Sequence, residues 1–276
     1  MVGLKPGPVT ALAEDGAGNL WAAQRGSGIA RIARSGLITF THEDGLAADR
    51  VVSIFEDRAG ELCVLTRSPE GIFINRFDGQ RFHAVQPNVP PRLKHWGWGG
   101  NQLDFEDSSG DWWIATAEGM YEFSKVFSIE QLGRVAPRAV YNLRNGLAGN
   151  SVYRAFEDSR GDIWISTDGD PVNGLTRIDR KTGRLERYGE ADHVSPRALV
   201  TAFQEDRSGN LWIGAPDSLI RYRDGLFQAF GVREGLPPGW VSALYLDHGG
   251  RLWATSNVSG LVLVDFATRS CDRLRR

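Results

Sequence analysis

Cysteine is nearly missing from this chain. There are 2 in 276 residues, Cys63 and Cys271, far apart and in no metal-ligand or redox spacing. They set no disulfide framework and do not identify a compartment. Missing too is any apolar run long enough to span a bilayer, and the opening MVGLKPGPVTALAED lacks the apolar centre of a signal peptide. No charge sign dominates: 32 basic residues face 34 acidic ones, a formal charge of −2. The bases are mostly arginines scattered singly among carboxylates, so the basic footprint of a nucleic-acid binder is excluded. No apolar 3.6-residue period persists for three turns, and 33 glycines punctuate the chain too often for long helices. Composition is otherwise that of an ordinary soluble globular chain, 41% hydrophobic and 24% charged, with enough apolar material for a core.

One phrase is written six times. EDGAGNLWAA, EDSSGDWWIA, EDSRGDIWIS and EDRSGNLWIG are close copies; EDRAGELCVL and LDHGGRLWAT are blurrier ones. Its aspartate falls at Asp15, Asp57, Asp107, Asp158, Asp206 and Asp247, at spacings of 41 to 51 residues. Strand-rich repeats of that length are the mark of propeller blades. The last unit shows the pattern: VSALYL, a DHGG turn, RLWAT, an NVSG turn, LVLVDF, an ATRS turn and CDRLR make a four-stranded antiparallel meander. The fold expected is therefore all-β, a β-propeller of six four-stranded antiparallel blades. It would be closed with six, or be six blades of a seven-bladed ring. Residues 1–276 form a single propeller domain in this reading, with repeats near 3–44, 45–90, 91–145, 146–192, 193–233 and 234–276.

The phrase reads as architecture. In each D-x-x-G turn the aspartate can accept backbone N–H groups, while Gly18, Gly60, Gly110, Gly161, Gly209 and Gly250 supply the positive φ a tight hairpin needs. Six residues after each aspartate stand Trp21, Trp113, Trp164, Trp212 and Trp253, with Cys63 in the second copy. Apolar neighbours on both sides place this strand between two covered faces, so one large ring per blade is expected to fill each inter-blade wedge.

The segments DGLAADRVVSIFEDRAGELCVLT, NGLAGNSVYRAFEDSRGDIWIST and EGLPPGWVSALYLDHGGRLWATS run Gly-Leu, a polar step, Val, an apolar strand, Glu-Asp (Leu-Asp in the last), two residues, Gly, an apolar residue and, in two of the three, Trp. This pattern resembles the two-component regulator propeller repeat, over nearly the whole chain. The third repeat departs from it with GNQLDFED, and the fifth, HVSPRALVTAFQED, lacks Gly-Leu. The resemblance implies an extracytoplasmic, periplasmic ligand-sensing region of a bacterial signalling protein, joined elsewhere to a membrane segment and a kinase or other output module. On that reading the chain is a piece of a longer protein, and it could dimerise through regions it lacks. The streptogramin lyase propellers are similar in their D-x-x-G-x-x-W turns, and GNLWAAQRGSGIARI resembles them; that resemblance implies a metal-dependent enzyme with a catalytic histidine. A protein-interaction scaffold is the third alternative.

Binding residues are expected at the end of the blades opposite the D-x-x-G turns, where loops vary in length and chemistry. The link QPNVPPRLKHWGWGGNQLDFED carries His95, Trp96 and Trp98. It leads into a strand with Asn101 where the other copies have Val, and Asp104 where they have Leu, Ile, Ala, Phe and Leu. Polar residues in apolar slots are the rule violations expected at functional or strained sites. With Arg67 and Arg154 from the flanking blades, these residues are the candidate site for a small polar ligand with a flat or sugar-like face. Asp168, Asp170, Asn257 and Trp240 lie at the same end. DGDPVNG is a poor calcium loop, because Val172 takes a ligand position and no glutamate follows at the required distance. No H-E-x-x-H, G-x-S-x-G, P-loop or C-x-x-C is present, and the five histidines show no ligand spacing. No cofactor, metal, nucleic-acid partner or catalytic residue is expected.

Overall fold

The computed structural model describes residues 8–33, 36–90, 102–169, 173–258, 260–265 and 270–273. These form six four-stranded antiparallel sheets, a β-propeller, as the repeats predict. By contacts the chain divides into two compact units, Met1–Tyr141 and Asn142–Arg276.

In the first unit, blade one is β1 (Val9–Glu14), β2 (Leu20–Gln24), β3 (Gly28–Ala33) and β4 (Gly36–Phe40). Blade two is β5 (Val51–Glu56), β6 (Leu62–Ser68), β7 (Gly71–Phe77) and β8 (Phe82–Val85). Blade three is β9 (Phe105–Glu106), β10 (Trp112–Thr116), β11 (Gly119–Phe123) and β12 (Ala139–Tyr141). In the second unit, blade four is β13 (Ser151–Glu157), β14 (Ile163–Asp168), β15 (Gly174–Ile178) and β16 (Leu185–Tyr188). Blade five is β17 (Ala202–Glu205), β18 (Leu211–Ala215), β19 (Ser218–Arg223) and β20 (Leu226–Phe230). Blade six is β21 (Val241–Leu246), β22 (Leu252–Ser256), β23 (Gly260–Asp265) and β24 (Ser270–Arg273). Every described sheet pairs its strands in chain order.

The D-x-x-G turn joins the first two strands of each blade, and its aspartate does more than close the hairpin. Asp206 Oδ1 accepts the N–H groups of Ser208 and Asn210 at 2.9 and 3.0 Å, and Oδ2 accepts the Trp212 indole N–H at 2.9 Å. The same indole bond holds Trp21 to Asp15, Trp113 to Asp107, Trp164 to Asp158 and Trp253 to Asp247, at 2.8–2.9 Å. The six turn glycines have φ between 76° and 92°. The indole can thus be buried with its one polar atom satisfied, through a charge-assisted bond worth roughly 1.5–3 kcal/mol. In Asp247 the bond from Trp253, then the N–H groups of Arg251, hold the carboxyl well below the usual range. At Asp15 burial pushes the carboxyl up, but Trp21, Asn19 and Ala17 together outweigh it and hold it below the usual range.

The glutamate of the repeated Glu-Asp pair ties one blade to the blade before it. Glu106 accepts the Arg58 backbone N–H at 3.0 Å, and Glu205 accepts both the N–H and the hydroxyl of Ser159 at 2.7 Å. At the strands' other ends, Thr10 Oγ1 donates to Val51 O at 3.1 Å, and Thr201 Oγ1 donates to Val241 O at 2.5 Å. Those acceptors sit at bulges: register shifts follow Val9, Val51, Val152 and Val241 in the first strands of four blades. A bulge turns a carbonyl out of its own ladder, where the neighbouring blade can use it.

The Gly-Leu leaders are short left-handed turns that drop a leucine into the core. Gly45 has φ 98°, and a Cβ there would lie 2.0 Å from Phe82 O. Leu46, Leu147 and Leu236 are buried behind such turns. The fifth repeat, which lacks Gly-Leu in sequence, keeps the geometry: His193 adopts φ 61° and Val194 takes the buried slot. The exposed histidine carries the backbone strain that glycine avoids.

Between blades the core is aromatic and aliphatic. Trp21 packs with Phe40 of its own blade and with Phe77 and Phe82 of blade two, centroids 5.2–6.5 Å apart. Trp164 meets Tyr222 of blade five edge-on at 4.7 Å, and Trp212 joins Val241, Leu244 and Leu252 of blade six. Cys63, standing where the others have tryptophan, is fully buried, and burial pushes its thiol far above the ordinary range. Trp253 corrects the expectation of one buried ring per wedge. It is only half-buried, lining an open apolar hollow of about 290 Å³ with Leu244, Tyr245 and Leu261. Blade six is the last of its unit, so no following sheet within the unit covers that face.

Two stability contrasts follow, both read by urea denaturation. Gly209→Ala meets only Glu205 Oε1, 4.0 Å away, and costs about 1 kcal/mol of backbone strain, whereas Gly45→Ala, driven against Phe82 O, costs about 3 kcal/mol or more. Trp212→Ala costs about 3–5 kcal/mol, and Trp253→Ala, whose ring is already wet, roughly half that or less. Equal costs within either pair would contradict the packing described.

Candidate functional site

In each meander the D-x-x-G turns lie at one end of the blade, and the second-to-third-strand loops and blade links lie at the other. The first end is uniform because the aspartate closes the turn in every blade and in five of them also holds a tryptophan. The second is free to vary, and there the first unit gathers charge. Arg25 directly follows β2 and is exposed, Arg50 leads into β5 and is exposed, and Arg67 near the end of β6 is half-buried. Backbone holds the three together: Arg25 and Arg50 form an antiparallel bridge, and Arg67 N–H donates to Arg50 O at 3.0 Å.

The electrostatics of Arg67 register this crowding. Burial, then the charges of Arg50 and Arg25, bring its pKa down to about 10, while Asp104 opposes them. The guanidinium remains charged at neutral pH.

Asp104 is fully buried, and its Oδ1 accepts the Ala115 N–H at 2.8 Å. The ladder of β9 with β10 has only two residue pairs, and the aspartate supplies an acceptor just beyond it. The carboxylate completes a short ladder and counters the Arg67 charge. His95, Trp96, Trp98 and Asn101, expected at the centre of the site, lie outside the described residues, as does Asp170.

Arg154 lies in the second unit, within β13, and is 5% exposed. Its Nε donates to Thr201 O of blade five at 3.0 Å, and its guanidinium lies 4.9 Å from the Tyr153 ring centroid. Burial lowers its pKa to about 10, with Tyr153 opposing. It ties blade four to blade five. Asn257 is occupied locally, its Oδ1 accepting the Trp240 N–H at 2.8 Å.

Sequence reasoning found Arg67 but not Arg25 or Arg50, which look like two of many isolated arginines. The usable signal was positional: each sits where a strand starts or ends at the variable end. Of the histidines, His83 Nε2 lies 2.6 Å from Asp78 Oδ2, and His42 Nδ1 lies 3.1 Å from Asp49 Oδ2. Among the described residues no group of three histidine, cysteine, aspartate or glutamate side chains could hold a metal ion. No described helix is long and apolar enough to cross a membrane.

A double-mutant cycle tests the coupling within this cluster. Asp104→Ala and Arg67→Ala are expected to be non-additive by roughly 1 kcal/mol or more in urea denaturation. Strict additivity would show that the two charges do not interact.

Comparison with known proteins agrees with the repeat pattern. Residues 146–169 match the family model described as two component regulator propeller. No curated protein sequence matches the chain. Among solved structures, the extracellular domain of BT3049 from B. thetaiotaomicron, described as belonging to a hybrid two component system, superposes with a TM-score of 0.76 at 20% identity. The match covers 97% of this chain and 34% of that one. That of BT4673, described likewise and from the same organism, gives 0.75 at 20% identity over 97% of this chain and 36% of its own. A virginiamycin B lyase from Staphylococcus aureus gives 0.71 at 16% identity, over 96% and 83% of the two chains. The chain thus spans about a third of the length of the two extracellular domains, and at these identities the likeness is one of fold. It is a six-bladed β-propeller that carries the two component regulator propeller repeat.

Proposed function

We propose that this chain is a non-enzymatic recognition propeller of a bacterial two-component-type signalling protein, acting outside the cytoplasm, where it binds a small polar ligand at the variable end of its blades. The observation that carries this reading is the repeat match at residues 146–169, within blades that have one uniform end and one variable end. The extracellular domains of hybrid two component systems with the same fold support it. Rigid blades fixed by the Asp–Trp turns leave the opposite loops free to differ, a division of labour suited to recognition.

Catalysis of the lyase kind would require a metal-binding cluster with a histidine. The test is a thermal-shift screen of the purified chain against mono- and oligosaccharides, sugar acids and other small polar metabolites. At least one compound is expected to raise the melting temperature saturably and to lose most of that effect in Arg67→Ala. Chemical conversion of a bound compound by the chain alone would overturn the reading.

A further inference from the structure

We propose that Arg25, Arg50 and Arg67 form a binding site for a small oxyanion, a carboxylate or a phosphate group, at the variable end of the first two blades. This deepens the recognition reading above and rests on it for the choice of end.

Three observations carry the inference. The first is convergence: three guanidinium-bearing residues from two blades are joined by a backbone bridge and a backbone hydrogen bond, so their proximity is built into the fold. The second is the lack of local neutralisation. Elsewhere Arg76 pairs with Glu61 at 2.7 Å, Arg177 with Glu186 at 2.7 Å and Arg251 with Asp247 at 2.6 Å. Arg25 and Arg50 make no ion pair or side-chain hydrogen bond among the described residues, and both are exposed. Asp49, beside Arg50 in sequence, is engaged by His42, whose N–H donates to its Oδ1 at 2.8 Å. The third is the position of Asp104. It opposes the other charges at Arg67, but it is buried and holds the Ala115 N–H. The Arg25 and Arg50 guanidinium groups thus stand without an ion partner among the described residues, beside Arg67, in a protein whose net charge is −2.

Crowded like charges repel, and an anion placed among them relieves the repulsion. Planar guanidinium groups also match carboxylate and phosphate oxygens in bidentate geometry. Arg67, half-buried in β6, would be the fixed member, and Arg25 and Arg50 would close on the ligand from the solvent side.

The experiment uses the whole chain, with inorganic phosphate and citrate as probes and sodium chloride at equal ionic strength as reference. Calorimetry and thermal melts are expected to show saturable binding and a raised melting temperature with at least one probe. Citrate alone would identify a carboxylate site and phosphate alone a phosphate site; either supports the proposal. The double variant Arg25→Ala/Arg50→Ala, both exposed, should melt like the parent without anion and bind at least tenfold more weakly. Arg233→Ala, an exposed arginine of the second unit, should bind like the parent. The proposal is overturned if neither probe exceeds chloride, if the double variant binds like the parent, or if Arg233→Ala weakens binding equally. A neutral saccharide that binds and is lost in Arg67→Ala, with no response to either anion, would overturn the anion site and leave the recognition reading standing.

Discussion

A single hydrogen bond, from a tryptophan indole to the aspartate six residues earlier, organises each blade that has it. The carboxylate is shared: one oxygen gathers backbone N–H groups of the turn, two in four blades and one at Asp247, and the other takes the indole. The turn is thereby closed and the ring aimed by the same group. A tryptophan so held can fill the space beside the next sheet without leaving a buried donor unsatisfied, which would cost about 1–3 kcal/mol. Local hairpin chemistry and blade-to-blade packing are therefore not separate problems in this fold. The second blade marks the limit of the device: Cys63 has no indole, and Asp57 serves the backbone alone, accepting from Ala59 and Glu61 at 2.9 Å.

The surrounding ties extend the same economy. Glu106 and Glu205 reach to the turn of the preceding blade, and Thr10 and Thr201 reach to carbonyls freed by bulges in the following one. Each link joins neighbours only, as expected where stability is a sum over repeats and the contacts between adjacent ones. With one end of every blade committed to this scheme, chemistry can diverge only at the other. The arginines of the first unit are found there, and so is the short ladder of blade three, where Asp104 supplies the acceptor that backbone does not.

Much of the fold was legible because its causes are local and repeated. Six aspartates at a period of 41 to 51 residues, glycine three residues after each and an aromatic six after five of them set the blade count, the turn type and the central strand. The fifth leader was not legible: His193 and Val194 carry the Gly-Leu geometry with neither residue present, because the fold imposes the left-handed turn and a histidine can bear its strain. Trp253 was misjudged for a related reason. Its sequence context resembles that of Trp212, but no following sheet within its unit covers its outer face.

The site divides along the same line. Sequence alone determined that blade three breaks the apolar rule at Asp104 and that Arg67 lies at a variable loop, since both are departures from a countable pattern. Tertiary structure decided what those departures mean. It buried Asp104 behind Ala115, used Arg154 to tie blade four to blade five, and brought Arg25 and Arg50 beside Arg67 across a blade boundary. Burial and like-charge proximity arise from segments distant in sequence, so no single stretch of residues encodes them; a turn that closes within ten residues is written where it folds.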